Sequence, residues 1–532
     1  MKGARTLIIG LDGATWAVAD TLIDQGLVPN LAYLKKRGSW GWLNSTNPPM
    51  TLPSWSSMLT GCNPGQHGIF DFVRYENQRL RFVTAQDRKV PTIHQIISKR
   101  GGRVASLLVP TTWPPVSING VMISGFDSPV STDIDGSFCH PKSLFHELRK
   151  RFGSLHFADL QESNIQEGWH QEALPKLLRE VYRKRDMGLW LLEQERWDCF
   201  MLLFGESDTV AHHFWMFHDP HSPRFRNVPA LRTAIQKVYQ RLDEALGALL
   251  DKSNADWICV CSDHGFGGAG EHVLYLNRFL EEHGWLKHKR ESSLASLRTM
   301  MGMYVPHAIL GQIFRHAPQI LRDRLEGRAR YGGISFPHTR AFSDEMNYAA
   351  TIRMPSRVGV ARLKEQLLAW SVDGHHPIQE VYEREELYTG SEVKWSPELV
   401  LELNQREGYS YTLLNSAHVP KGVLWNKLQP KDHFGGKGLG MNGTHRQHGI
   451  LALYGRGIQQ KEIQADMQDI VPTLLYLMGE DVPLYMDGRV CVEAGDISYC
   501  EDTIDREPQE FQPLTNVQSQ KIQTRLEHLG YL

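Results

Sequence analysis

The chain lacks any uninterrupted apolar run long enough to span a bilayer, so no ordinary transmembrane helix is expected. It also lacks an excess of charge. Its 58 Lys and Arg against 60 Asp and Glu give a formal net charge of −2, and nothing in that balance points to nucleic acid or an acidic membrane. Cysteine is scarce: seven residues, an odd number, with no C-x-x-C pair and with Cys259 and Cys261 inside a strand-like run. A disulfide framework is therefore not expected. The start, M-K-G-A-R-T-L-I-I-G-L-D-G, runs directly into an apolar strand without a signal-type apolar region. With the reduced cysteines, it predicts a cytoplasmic protein. The phosphate-loop signature G-x-x-x-x-G-K-[ST] does not occur, and there are no internal repeats. What is present is ordinary for a soluble globular protein: 41% hydrophobic and 22% charged residues over 532 positions. That length exceeds one common domain and predicts a large core with insertions, or two lobes. Histidine is plentiful at 24, which makes metal binding worth testing.

Apolar runs and helical patterns alternate along the chain. Residues 6–11 read as a buried parallel strand ending on Asp12-Gly13, and 30–37 as a helix stopped by Gly38. Residues 92–100 read as a helix and 103–109 as a strand. A helical region over 172–195 feeds a strand over 199–204, which ends on Gly205-Glu206-Ser207-Asp208. A second helix over 229–251 precedes a strand over 257–261 and then Ser262-Asp263-His264-Gly265. The alternation predicts an α/β fold with a doubly wound, mostly parallel central sheet flanked by helices. In such sheets ligands bind beyond the carboxyl ends of the strands. Three predicted strands end within a few residues of an aspartate: Asp12, Asp208 and Asp263. One such aspartate is usually a turn former, but three form a pattern. The catalytic core is expected over 1–285 and 336–492, with strands over 399–403 and 450–454 resuming it. A basic helical insertion or cap is expected over 286–335 and a polar tail over 493–532.

The central stretch is 47–72, N-P-P-M-T-L-P-S-W-S-S-M-L-T-G-C-N-P-G-Q-H-G-I-F-D-F. Pro53 suits the first turn of a helix, where a missing N–H costs nothing, and Gly61 ends it. Thr51 is thus placed at a helix N-terminus, whose free N–H groups and dipole favour an anion such as phosphate. By itself a Thr before Pro also reads as a plain cap. Asp208 and His212, four apart, share one face of a helical turn. With Asp12, Thr51, Asp263, His264 and His445 they make seven candidate ligands. Mixed carboxylate and imidazole donors suit Zn²⁺ or Mn²⁺ better than Ca²⁺. Seven groups are too many for one tetrahedral ion and right for two. His213, His448 and His67 read as packing or outer residues.

These motifs, taken in order, resemble the alkaline phosphatase superfamily, most closely its type I phosphodiesterase/nucleotide pyrophosphatase branch. The resemblance is carried by G-L-D-G-A at 10–14, T-L-P-S-W-S-S-M-L-T-G at 51–61, P-G-Q-H-G-I-F-D-F at 64–72, E-S-D-T-V-A-H at 206–212, S-D-H-G-F at 262–266 and G-T-H-R-Q-H-G-I-L at 443–451. It implies one metal on Asp208, His212 and His445, and another on Asp12, Asp263 and His264, with Thr51 as nucleophile beside the second. It further implies phosphoryl transfer to water from a small-molecule phosphodiester or pyrophosphate through a phospho-threonine. Sulfatases of similar fold carry C/S-x-P-x-R, and Thr51-Leu52-Pro53-Ser54-Trp55 departs from that. Nucleotide pyrophosphatases carry Asn where Ser54 stands, which weakens a close nucleotide analogy. A phosphomonoesterase, a phosphomutase or a non-catalytic metal-stabilised binding protein are the alternatives. For substrate contacts the candidates are Ser54, Trp55 and Arg446. An aromatic wall from Trp55 and Phe70, with no Lys or Arg between Gly38 and Phe72, favours a diester.

Overall fold

The computed structural model describes residues 2–76, 79–125, 136–153, 165, 167–288, 333–345, 348–417, 419–434 and 439–501. A nine-stranded sheet forms the centre. Its strands lie in the order Lys461–Asp466, Ser39–Asn44, His448–Gly455, Trp257–Cys261, Gly3–Leu11, Arg196–Phe204, Val104–Val109, Gly120–Ser124, Cys139–His140. His448–Gly455 runs antiparallel to both its neighbours and Cys139–His140 to its own; the remaining pairs are parallel. This is the doubly wound, mostly parallel sheet expected.

The central strand shows why both faces are covered. Along Gly3–Leu11, Leu7, Ile9 and Leu11 enter the core on one side and Ile8 the core on the other, as the two-residue period of a strand demands. The first side is closed by helices Trp169–Leu192 and Ala234–Ser253, which contribute Val181 and Leu242. The second is closed by Thr51–Thr60, Ile93–Lys99 and Ile470–Leu477, through Trp55, Ile96 and Leu474. None of the described helices is long and apolar enough to cross a membrane.

The strand Leu399–Leu403 does not resume the central sheet. It is the middle of a three-stranded antiparallel sheet with Ala350–Ile352 and Ile378–Glu383. That sheet shares a separate hydrophobic core with Leu276, Phe279, Leu363 and Leu413. An apolar run cannot reveal which sheet it joins, and here the nearest buried partners lie in a second lobe. The helical reading of 286–335 falls outside the described residues except at 286–288 and 333–335. The tail from residue 502 onward also lies outside them, while Tyr499–Cys500 pairs with Val482–Pro483.

Candidate dimetal centre

The site lies at the carboxyl edge of the central sheet, where three strands end. Asp12 follows Gly3–Leu11, and its amide is held by the Phe204 carbonyl at 2.9 Å. Gly13 comes next with φ +66. A Cβ there would fall 2.9 Å from the Phe266 ring and 3.1 Å from Asp208 Cα, so glycine alone lets these strand ends converge. The Gly13 amide donates to Asp263 Oδ1 at 3.1 Å, and Ser207 Oγ donates to the Asp12 carbonyl at 2.6 Å. Asp208 lies in the first turn of helix Glu206–His218, where the dipole favours a carboxylate. His212 stands one turn later on the same face. His445 arrives from far along the chain because Gly443–Arg446 pairs antiparallel with Gly265–Leu274, setting it opposite Phe266. Thr51 is the first residue of helix Thr51–Thr60.

These seven side chains meet, and all but the half-buried Asp208 are buried. Asp208 Oδ1 lies 3.3 Å from His212 Nε2 and 3.4 Å from His445 Nε2, and the two imidazole nitrogens are 3.0 Å apart. On the other side His264 Nε2 is 3.3 Å from Asp263 Oδ2, 3.7 Å from Asp12 Oδ1 and 3.5 Å from Thr51 Oγ1. Among the described residues two groups have ligand atoms mutually within 4.8 Å: Asp208, His212 and His445, and Asp12, Asp208 and His264, with Asp263 in neither. Asp208 therefore stands between the two clusters rather than in one alone.

The hydrogen bonds fix the proton positions. His212 Nδ1 contacts the Gly443 carbonyl at 3.0 Å, His445 Nδ1 that of Pro49 at 2.9 Å, and His264 Nδ1 that of Gly265 at 3.1 Å. A carbonyl only accepts, so each Nδ1 carries a hydrogen and each Nε2 is turned into the site. His212 Nε2 and His445 Nε2 face each other at 3.0 Å. Around them Asp12 Oδ1, Asp208 Oδ1 and Asp263 Oδ2 are buried without a hydrogen-bond donor. Such atoms are costly to bury unless a cation takes them, and carboxylate with imidazole is a donor set for divalent ions. The residues fit two metal ions.

The same crowding sets the charges of the metal-free protein. Burial pushes the Asp12 carboxyl up to about 8, with Asp208 adding to the rise, against the Trp55 indole. Burial and then Asp12 raise Asp263 well above the usual carboxylate range. Burial opposes charge on Asp208 as well, but His212 and His445 outweigh it and hold it well below. His264 is driven well below its ordinary value by burial and then by His445.

The remaining sequence candidates need correction. Trp55 is fully buried, packs against Gly10 and donates its indole N–H to Asp12 Oδ2 at 3.2 Å; it braces Asp12 and presents no wall to a substrate. Ser54 is fully buried, with its hydroxyl on Ser45 Oγ at 2.7 Å and Thr46 Oγ1 at 2.9 Å. Arg446 turns away, bonding Ser410 Oγ and the Gly268 carbonyl across Gly267. Phe70 packs its edge on Tyr388. His448 is exposed and bonds Asn44, and His67 braces Ser57 and the Ile69 amide, as packing readings predict. His213 packs on Trp169. Missed entirely was Tyr348, whose ring stacks on His445; no motif surrounds it. The acceptor carbonyls of Pro49, Gly265 and Gly443 were equally invisible, since backbone groups leave no trace in residue type.

A helix-borne hydroxyl beside carboxylate–imidazole clusters at this edge of a doubly wound sheet defines a metal-dependent hydrolase of phosphoryl groups. The chain belongs to the type I phosphodiesterase/nucleotide pyrophosphatase family, whose model matches residues 6–408, and it is a hydrolytic enzyme. His445 lies beyond the matched span. The fold is shared with phosphonoacetate hydrolase from Sinorhizobium meliloti 1021, in its complex with phosphonoformate, at 20% identity and TM-score 0.51 over 85% of this chain and 90% of that one. Murine ectonucleotide pyrophosphatase/phosphodiesterase 5 matches at 14% identity and TM-score 0.46 over 93% of this chain and 97% of that one. No curated protein sequence matches the chain.

Proposed function

We propose that the protein hydrolyses a small-molecule phosphodiester or pyrophosphate through a covalent phospho-threonine on Thr51, with two divalent ions, Zn²⁺ first and Mn²⁺ second. Asp208, His212 and His445 would hold one ion. Asp12, Asp263 and His264 would hold the other, beside Thr51. When bound, the ions supply Lewis-acid neutralisation of the phosphoryl oxygens and lower the pKa of the threonine hydroxyl. The chain does the rest. Thr51 is the first residue of its helix, where Oγ1 and the free amides of the first turn would meet the phosphoryl group. The Thr51 hydroxyl gives up its proton as the Oγ1–P bond forms and the P–O bond to the leaving alcohol breaks, the departing oxygen taking up a proton; water then cleaves the Oγ1–P bond, returning the hydroxyl and releasing the phosphomonoester.

One observation carries the choice of a diester. The ion-pair partners of Asp12, Asp208 and Asp263 are His212, His264 and His445, with no Lys or Arg among the described residues. Two divalent ions against three aspartates leave a formal excess of one positive charge, which a diester monoanion neutralises and a monoester dianion exceeds. The test is a panel of p-nitrophenyl esters with metal-loaded protein. The expected order has kcat/KM for bis-p-nitrophenyl phosphate above that for p-nitrophenyl phosphate. A monoester preference of tenfold or more would replace this reading with a phosphatase.

A further inference from the structure

The imidazole of His445 is gripped on both faces. Its ring lies 3.6 Å from that of His264 with planes 21° apart, and 4.0 Å from the phenol of Tyr348 with planes 22° apart. Two rings so close and so nearly parallel to a third must occupy its opposite faces. His264, His445 and Tyr348 therefore form one column, with Phe266 edge-on to His445 at 5.3 Å. The first two rings belong to the dimetal centre. The third comes from the second lobe.

Tyr348 is anchored on both sides in sequence. Three residues before it, Glu345 adopts φ +49, and its carboxylate accepts the Asn277 amide at 2.8 Å, the Ser416 amide at 2.7 Å and Ser416 Oγ at 2.9 Å. Two residues after it, Ala350–Ile352 begins and pairs with Leu399–Leu403. The ring also packs on the cluster containing Met50 and Leu52, the two neighbours of Thr51. It thus joins the cluster that flanks Thr51 and covers one face of His445.

In the ring plane His445 has Nδ1 on the Pro49 carbonyl at 2.9 Å and Nε2 3.0 Å from His212 Nε2. These edge contacts set the tautomer but leave the ring able to swing out of its plane. Stacking on both faces removes the swing before an ion arrives, so less ordering remains to oppose binding. We propose, on the two-ion reading given above, that Tyr348 is a positioning residue: it holds His445 for the ion shared with Asp208 and His212, and so couples the second lobe to the metal centre. The ring does this, not the hydroxyl.

The test titrates chelator-stripped, full-length protein with Zn²⁺ alone by calorimetry, and follows Co²⁺ by its visible absorption. Tyr348→Leu is expected to weaken one of two ions by about tenfold or more, the range for loss of a group that orients a ligand, and to change the Co²⁺ spectrum of that ion. Tyr348→Phe keeps the ring and should stay within about threefold of the parent. In a His445→Ala background Tyr348→Leu should have no further effect on the remaining ion. If Tyr348→Leu folds poorly, Tyr348→Phe and Tyr348→Met, ring against flexible chain, make the same comparison. Zn²⁺ affinities equal to the parent's in the ring-less variants overturn the inference. So does a loss spread evenly over both ions that persists with His445→Ala. A parent protein that binds no ion overturns the reading of the site itself, whereas unchanged affinities in a two-ion protein overturn the role of Tyr348 alone.

Discussion

Single residues in this centre are held from behind, so that their inner atoms stay bare. Trp55 shows it: the indole N–H on Asp12 Oδ2 is a charge-assisted bond, and Trp55→Phe removes it while keeping most of the ring. Zn²⁺ binding at the Asp12 side should weaken by about tenfold, since hydrogen bonds to charged groups contribute about 1.5–3 kcal/mol; calorimetric titration reads it. Protonation follows from the same burial. Asp12 titrates at about 8 in the folded metal-free protein against an ordinary 3.8, so between those values the folded state holds a proton that the unfolded state has lost. Its stabilising contribution is complete below pH about 4 and is lost as pH rises to about 8; Asp263 acts in the same sense and Asp208 in the opposite one. Unfolded histidines, with an ordinary pKa of about 6.5, have lost nearly all their protons by about pH 7.5. From about pH 7.5 to 8.5 the Tm of the chelator-stripped protein should therefore fall, while that of the metal-loaded protein should not. Scanning calorimetry of both forms decides it. The candidate ligands were legible because Asp, His and Thr recur at strand and helix ends, though the place of Asp208 between the two clusters was not. Orientation was less so. Arg446 adjoins His445 in sequence, but side chains alternate along a strand, and the alternation sends Arg446 to the far face. Arg446→Ala should accordingly leave the ratio of diester to monoester kcat/KM unchanged.

At the scale of elements, the geometry depends on how closely the strand Gly443–Arg446 approaches helix Glu206–His218. Gly443 permits that approach: a Cβ there would fall 2.3 Å from the Ala211 carbonyl oxygen and 3.1 Å from the Phe266 ring. Its own carbonyl fixes the tautomer of His212. Gly443→Ala should push the strand outward and misplace both His212 and His445. Zn²⁺ affinity on that side should fall by about tenfold or more, the scale for losing a ligand's orienting partner, with the Asp12 side spared. Unaltered titration of both ions would show that the strand does not set the site. Most elements were readable from the sequence, because a buried parallel strand is an unbroken apolar run and its connecting helix an amphipathic one. The strands Ser39–Asn44 and Lys461–Asp466 were not. In Ser39–Asn44 the burial alternates, with Trp42 exposed, and Lys461–Asp466 is the polar edge of the sheet. An edge strand carries too little apolar signal to stand out.

Over the whole molecule, the strand ends of the central sheet bring Asp12, Asp208 and Asp263 together, the pair Gly265–Leu274 and Gly443–Arg446 delivers His445 to them, and the second lobe adds Tyr348. The fold class and the order of motifs were legible because the family's pattern is spread along the chain. The second lobe was not, since its strands are short and pair with one another rather than with the sheet that bears the motifs. The account stands or falls on Thr51 as the group that attacks phosphorus. The direct measurement is turnover of bis-p-nitrophenyl phosphate by Thr51→Ala, with the ions per chain counted in the same preparation. The account predicts a fall in kcat of about 10³-fold or more with both ions retained, as for loss of an activated nucleophile. Turnover at the parent's rate with both ions bound would contradict it.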